Sequence, residues 1–167
     1  GAALTKPNDP TRDGYTFSNW QPTSPAPSLP STFPAEDATY TAQWTPNTYT
    51  VTFSVDGGTG GSLTANYGSH PSTTNSSTVQ VTHGDSVTFT ASPATGWTVD
   101  SWSNNVTNIS TDKKTATLSG VTAATTVTVT FKKTYTVTFK VDGGHGSLKG
   151  EYNGSEKTAP GGGQENF

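Results

Sequence analysis

Apolar and polar positions alternate with a period of two along most of this chain. In "YTVTFSV" the residues Tyr49, Val51, Phe53 and Val55 share one face, and Thr50, Thr52 and Ser54 share the other. Leu63, Ala65 and Tyr67 alternate in the same way, followed by Val79 and Val81, then Val87, Phe89 and Ala91, and finally Val127, Val129 and Phe131. Such runs, bounded by clusters of Gly, Asn, Asp, Ser or Pro, predict short antiparallel strands with one face on a core and one in solvent. No stretch carries a helical period, and the prolines in residues 18–27 restrict that segment to a turn. The expected fold class is therefore mostly β with little or no helix.

The pattern repeats. "TYTVTF" at residues 48–53 returns at 134–139, and "VDGG" and "GSL" follow in both copies. A looser match joins "PTRDGYTFSNW" (10–20) to "PATGWTVDSW" (93–102), and a third joins "ATYTAQW" (38–44) to "TTVTVTF" (125–131). Self-similarity of this kind marks tandem supersecondary units. Residues 47–133 read as one complete β unit. Residues 1–46 read as the back half of a preceding unit, with a proline-rich loop at 21–34. Residues 134–167 read as the front hairpin of a further unit plus a disordered tail. The chain thus looks like a piece of a longer array of small antiparallel β units, each β-grasp-like or a small sandwich.

Composition agrees and excludes several chemistries. Threonine makes up roughly a fifth of the chain, and its β-branched side chain favours strands. There is no cysteine, which removes disulfides, thiol nucleophiles and thiolate metal sites. The net charge is −3 without a basic cluster, an unsuitable balance for nucleic acid. The longest apolar runs are a few residues, far short of a membrane span.

Residues 10–44 resemble the internalin B-repeat, also called the Listeria–Bacteroides repeat. Pro10, Gly14, Tyr15, Phe17, Trp20, Ala42 and Trp44 stand at the positions of its P-x-x-x-G-Y-x-F-x-x-W and A-x-W pattern. Residues 48–133 are similar to the divergent bacterial repeat of the same group, through "TYTVTFSVDGG", "GDSVTFTASPATGW", Trp102 and "TTVTVTFKK". The resemblance implies tandem modules of exported bacterial surface proteins, some with a β-grasp-like shape. It implies no activity, because its motifs are turn glycines and core aromatics.

Candidate sites are few. The glycine-rich stretch after Val55 lacks the lysine and the following helix of a phosphate loop, and it lacks the oxygen ligands of a calcium loop. Asp56, Gly57 and Gly58, and their copies Asp142, Gly143 and Gly144, read instead as the structural turn of a hairpin. His70, His83 and His145 have no metal-ligand spacing and read as solvated loop histidines. No G-x-S-x-G elbow and no grouped carboxylates suggest catalysis. Trp20, Trp44, Trp97 and Trp102 read chiefly as core. Trp20 and Trp102 follow a break in strand parity, so an outward orientation that would stack on a ligand such as a sugar ring is the alternative. "LPSTF" (29–33) resembles a wall-sorting signal but has Phe33 in place of glycine. Lys132 and Lys133, at a strand end, are candidates for a covalent crosslink to Asn or Asp.

The sequence therefore points to a structural or adhesive module, a stalk or spacer, on the bacterial surface or secreted. The alternative is a carbohydrate- or host-protein-binding module that uses exposed aromatics. Neither enzyme activity nor a cofactor is expected. The expected partners are neighbouring repeats, with a host glycan or surface protein as a further one, and the fragment itself is expected to be monomeric.

Overall fold

The alternating runs become strands because each has one apolar face that must leave water, and a pleated ribbon sends successive side chains to opposite sides. The computed structural model describes residues 2–23, 29–32, 34, 37–68, 70–73, 76–103, 105–136, 138–139, 148–152, 155–159 and 165–166. In chain order the strands are β1 (Tyr15–Pro22), β2 (Tyr40–Pro46), β3 (Thr48–Val55), β4 (Gly61–Tyr67), β5 (His70–Thr73), β6 (Ser76–Thr82) and β7 (Val87–Pro93). They continue with β8 (Trp97–Trp102), β9 (Thr115–Leu118), β10 (Thr125–Lys133), β11 (Thr138–Phe139), β12 (Leu148–Tyr152), β13 (Ser155–Ala159) and β14 (Glu165–Asn166). The fold is mostly β, and the sole helical element among the described residues is a three-residue 3-10 turn, Asp56–Gly58.

Two four-stranded sheets form the centre, with orders β6-β3-β10-β8 and β5-β4-β7-β9. Their inner faces meet in one core. Val51, Phe53 and Val55 of β3, with Val127, Val129 and Phe131 of β10, lie against Leu63, Ala65, Val87, Phe89, Ala91, Ala116 and Leu118 of the other sheet. The Phe53 and Phe89 rings join the layers with centroids 5.8 Å apart. Trp102, Val106 and Val121 belong to the same core. Among the described residues no polar or charged residue is buried, so the core is held by apolar burial alone. The outer faces carry threonine and serine, and Gln80 Nε2 donates across strands to Thr50 Oγ1 at 2.8 Å.

One pairing departs from the antiparallel expectation. β10 lies parallel to β3, with Val127 opposite Phe53 and Val129 opposite Val55. Parallel neighbours need a long connection, and here β4 to β9 supply it by way of the second sheet. The reason is burial: the valines and phenylalanines of β3 and β10 are 0–7% exposed, and the two middle positions of the sheet hide them.

The turn after β3 therefore does not make a hairpin. β3 and β4 belong to different sheets, and Asp56–Gly58 carries the chain from one layer to the other. The turn of the front hairpin expected in residues 134–167 lies outside the described residues. In that segment, β12 pairs with β13 and β11 with β14. The second glycine turn, with Asp142, Gly143 and Gly144, and His145 lies outside the described residues. Most of the tail expected to be disordered lies outside the described residues, and its Glu165–Asn166 pairs with Thr138–Phe139. Ahead of the sandwich, β1 and β2 form a separate two-stranded antiparallel sheet. The proline-rich loop between them is tied at one end, where Leu4 N donates to Ser31 O at 2.9 Å.

Phe89 is fully buried, against both Phe53 and Trp102. Phe89→Ala is expected to destabilise the sandwich by about 3–5 kcal/mol, the usual range for emptying an aromatic core site. Urea unfolding monitored by tryptophan fluorescence checks this, and a loss below about 1 kcal/mol would contradict the two-layer core.

Candidate functional site

Asp56, Gly57 and Gly58 have the geometry of a turn. Gly57 and Gly58 adopt φ of 67° and 65°, a left-handed backbone that glycine takes without steric penalty. Nothing lies within 4 Å of where a Cβ would stand on either residue, so these glycines serve backbone conformation and not close approach to a ligand. The Asp56 carboxylate accepts a long 3.4 Å hydrogen bond from Thr130 Oγ1. No group of three or more His, Asp or Glu among the described residues has metal-binding geometry.

Trp102 is withdrawn as a ligand platform. Its residue is 9% exposed, and its Nε1 donates to the Lys113 carbonyl at 2.7 Å. The parity break that suggested an outward indole is a β-bulge: opposite β10, the pairing skips Asp100. The extra residue brings Trp102 back to the face of Val99, toward the core.

The same device operates at Trp20. Pairing of β1 with β2 skips Ser18, so Trp20 returns to the face of Phe17. Trp20 is only half-buried, because among the described residues no second sheet covers this hairpin. Phe17 contacts Trp20 at 5.5 Å and Trp44 edge-on at 5.8 Å between centroids. An open cleft beside them is lined by Lys6, Asp9, Phe17, Ser18, Asn19 and Trp20. Lys6 and Asp9 form an ion pair at 2.8 Å, and Lys6 Nζ lies 5.9 Å from the Phe17 ring centre. The Trp20 Nε1 atom is buried without a hydrogen-bond partner among the described residues. Apolar rings beside paired donors and acceptors suit a ligand with both an apolar face and hydroxyls.

A second feature, invisible to motif reading, is the joint between hairpin and sandwich. Asn47 occupies it. Its amide donates to Gly14 O at 2.9 Å, and its carbonyl accepts from His83 N at 2.9 Å. Its side-chain oxygen accepts from Thr16 Oγ1 at 2.7 Å. His83, expected to be a solvated loop residue, packs in this joint with its side chain 19% exposed. Its ring lies 5.9 Å from that of Tyr49, and its Nε2 is 3.5 Å from Asp13 Oδ2. A Cβ on Gly14 would overlap the His83 imidazole, 2.5 Å from Cγ, and Gly14 also has φ of 74°. Sequence reading found Gly14 as part of a motif but had no signal for its partner, which is 69 residues away by number (83 − 14).

The remaining charged groups serve local structure. Asp112 has its acidity strengthened first by the Ser110 hydroxyl and then by the Lys114 amide, which donate to Oδ1 at 2.6 and 3.0 Å. The crosslink considered for Lys132 and Lys133 gives way to ordinary contacts. Lys132 Nζ forms a solvated ion pair with Asp100 at 2.9 Å, and Lys133 Nζ lies 5.6 Å from the Trp97 ring centre. No helix among the described residues is long and apolar enough to cross a membrane.

Comparison with known proteins accounts for this geometry. Residues 49–135 match the model of the divergent InlB B-repeat domain. The chain belongs to the divergent InlB B-repeat family. Residues 1–48 match the Listeria–Bacteroides repeat domain, so both parts of the resemblance seen in the sequence hold. Internalin H of Listeria monocytogenes is 40% identical over 58 residues, which cover 32% of this chain and 11% of that protein. The chain thus spans a small part of this curated relative's length. No solved structure matches it.

Gly14→Ala is expected to loosen the joint, since the left-handed backbone alone costs an alanine about 1–2 kcal/mol and the methyl group also displaces His83. Amide exchange at Asn47 and His83 reads this directly. Unchanged protection at both amides would show that the joint does not depend on Gly14.

Proposed function

We propose that this chain is a stretch of a tandem β-repeat array that spaces and presents other parts of an exported bacterial surface protein. In this reading, residues 47–133 are the complete unit, 1–46 the end of one before it and 134–167 the start of one after it. A recurring joint supports it. Gly14 O accepts from Asn47 N at 2.9 Å, and Gly96 O accepts from Thr134 N at 2.8 Å. Gly14 and Gly96 occupy the same place in the G-aromatic-Thr motif, each just before a strand whose bulge is followed by a tryptophan, Trp20 or Trp102. The bond extends each hairpin ladder by one rung at the point where the next repeat begins, so successive repeats are joined by paired backbone, which suits a spacer better than a flexible linker does. In this reading the role of the apolar-cored units is mechanical.

Chains carrying one, two and four tandem copies of residues 47–133 test the proposal. Their maximum dimension in small-angle scattering is expected to grow linearly with copy number. Growth as the square root of copy number, the behaviour of a flexible coil, would contradict a spacer.

A second reading rests on the Phe17–Trp20 cleft with its Lys6–Asp9 pair. An aromatic face beside a paired donor and acceptor fits one ring of a host glycan, which would make the array adhesive. Binding on a glycan array is expected to disappear in Trp20→Ala. A blank array with the wild-type chain would remove the adhesive reading and leave the spacer standing.

A further inference from the structure

β8 and β9 are edge strands, one in each four-stranded sheet. An edge strand presents backbone donors and acceptors with which another chain can pair. β9, "TATL", carries no charge and no proline, and its pairing with β7 has no bulge. These are features that commonly guard an edge against strand addition. The edge of β9 is nevertheless occupied.

Its occupant is the segment 105–114, which lies between β8 and β9 in the chain. Thr107 N donates to Thr117 O at 2.6 Å, and Thr117 N donates to Thr107 O at 2.8 Å. Ser110 N donates to Thr115 O at 3.0 Å, and Ser110 Oγ accepts from Thr115 N at 3.0 Å. Thr115 and Thr117 are the alternate residues of β9 that turn their backbone groups away from β7, so every outward group of this strand is taken. The same segment also reaches the first sheet. Asn105 Nδ2 donates to Thr126 O of β10 at 2.9 Å, and Lys113 Nζ donates to Asp100 O of β8 at 3.0 Å.

Two further contacts hold the segment down. Val106 is 8% exposed within the core, and Lys113 O accepts from Trp102 Nε1 at 2.7 Å. The backbone between them is strained. Asn108 and Lys113 have φ of 48° and 58°, left-handed values that a residue with a Cβ disfavours. The segment keeps this shape only while its contacts hold it.

We propose that residues 105–114 are a strap that reserves the β9 edge, and that the edge, once released, pairs antiparallel with β9 of a second copy of this chain. An edge that takes a strand through main-chain hydrogen bonds is β-augmentation, and here the strap fills that site from within. The strand's own chemistry favours a twin: without a charged side chain, β9 neither repels its copy nor selects a charged partner. Two identical edges meet about a two-fold axis, so the contact closes as a dimer and does not propagate. The strap acts within residues 97–133 and does not depend on the spacer reading.

Thr107→Pro in the full chain tests the proposal. Proline removes the N–H that bonds Thr117 O, and its ring intrudes on that 2.6 Å contact. Amide exchange at Thr115 and Thr117 is expected to quicken at least about tenfold, while the ladder between β4 and β7 stays protected. Sedimentation velocity is expected to show dimers at concentrations where the wild-type chain shows none. Thr117 N points away from β7, so adding Thr117→Pro is expected to abolish the dimer and leave the β7 ladder intact. Ser110→Pro, which frees Thr115, is read in the same way and serves if Thr107→Pro does not fold. Fast exchange at Thr115 and Thr117 in a variant no more dimeric than wild type would overturn the proposal. So would unchanged exchange in both variants, or a dimer that survives Thr117→Pro.

Discussion

A short threonine-rich strand has a single apolar face, and that face needs a second layer. This one constraint organises the molecule. β3 and β10 carry valines and phenylalanines at every second position, and they reach near-zero exposure only because the β5-β4-β7-β9 sheet closes over them. The contact of Phe53 with Phe89 is the point where the layers lock. The glycine turn at Asp56–Gly58, the parallel β3–β10 pair and the bulges before Trp20 and Trp102 are all means of presenting apolar side chains to the same interior.

The first hairpin shows the constraint unmet. It has the register and the bulge of β8–β10, yet Tyr40, Ala42 and Trp44 are only half-buried. Its aromatics instead pack on one another, Phe17 between Trp20 and Trp44, with the Lys6–Asp9 pair beside them. The spacer and the glycan cleft are two ways of using that half-buried face. They differ in what covers it: a neighbouring repeat or a ligand.

Much of the fold was legible from residues. The alternation in "YTVTFSV" marked β3 and its buried face, and the repeated "TYTVTF" and the G-aromatic-Thr motif identified the family. Other parts were illegible for definite reasons. β9 is the four residues "TATL", too short to carry a periodic signal. The parity breaks at Trp20 and Trp102 read equally well as outward turns or bulges, because a bulge shows itself only against the partner strand. For the candidate site, Trp20 could be named from sequence but Lys6 and Asp9 could not, since their approach depends on how the N-terminal segment lies on β1.

By itself the sequence determined that the chain is built from alternating β strands, that it repeats, and that thiol chemistry is absent. Those properties are local: side-chain period, turn residues and composition. Tertiary structure decided which strands become neighbours. It placed β4 in the sheet opposite β3, turned Trp102 into the core and brought His83 against Gly14. These choices depend on burying all the apolar faces of a unit at once, a condition that no local stretch of sequence contains.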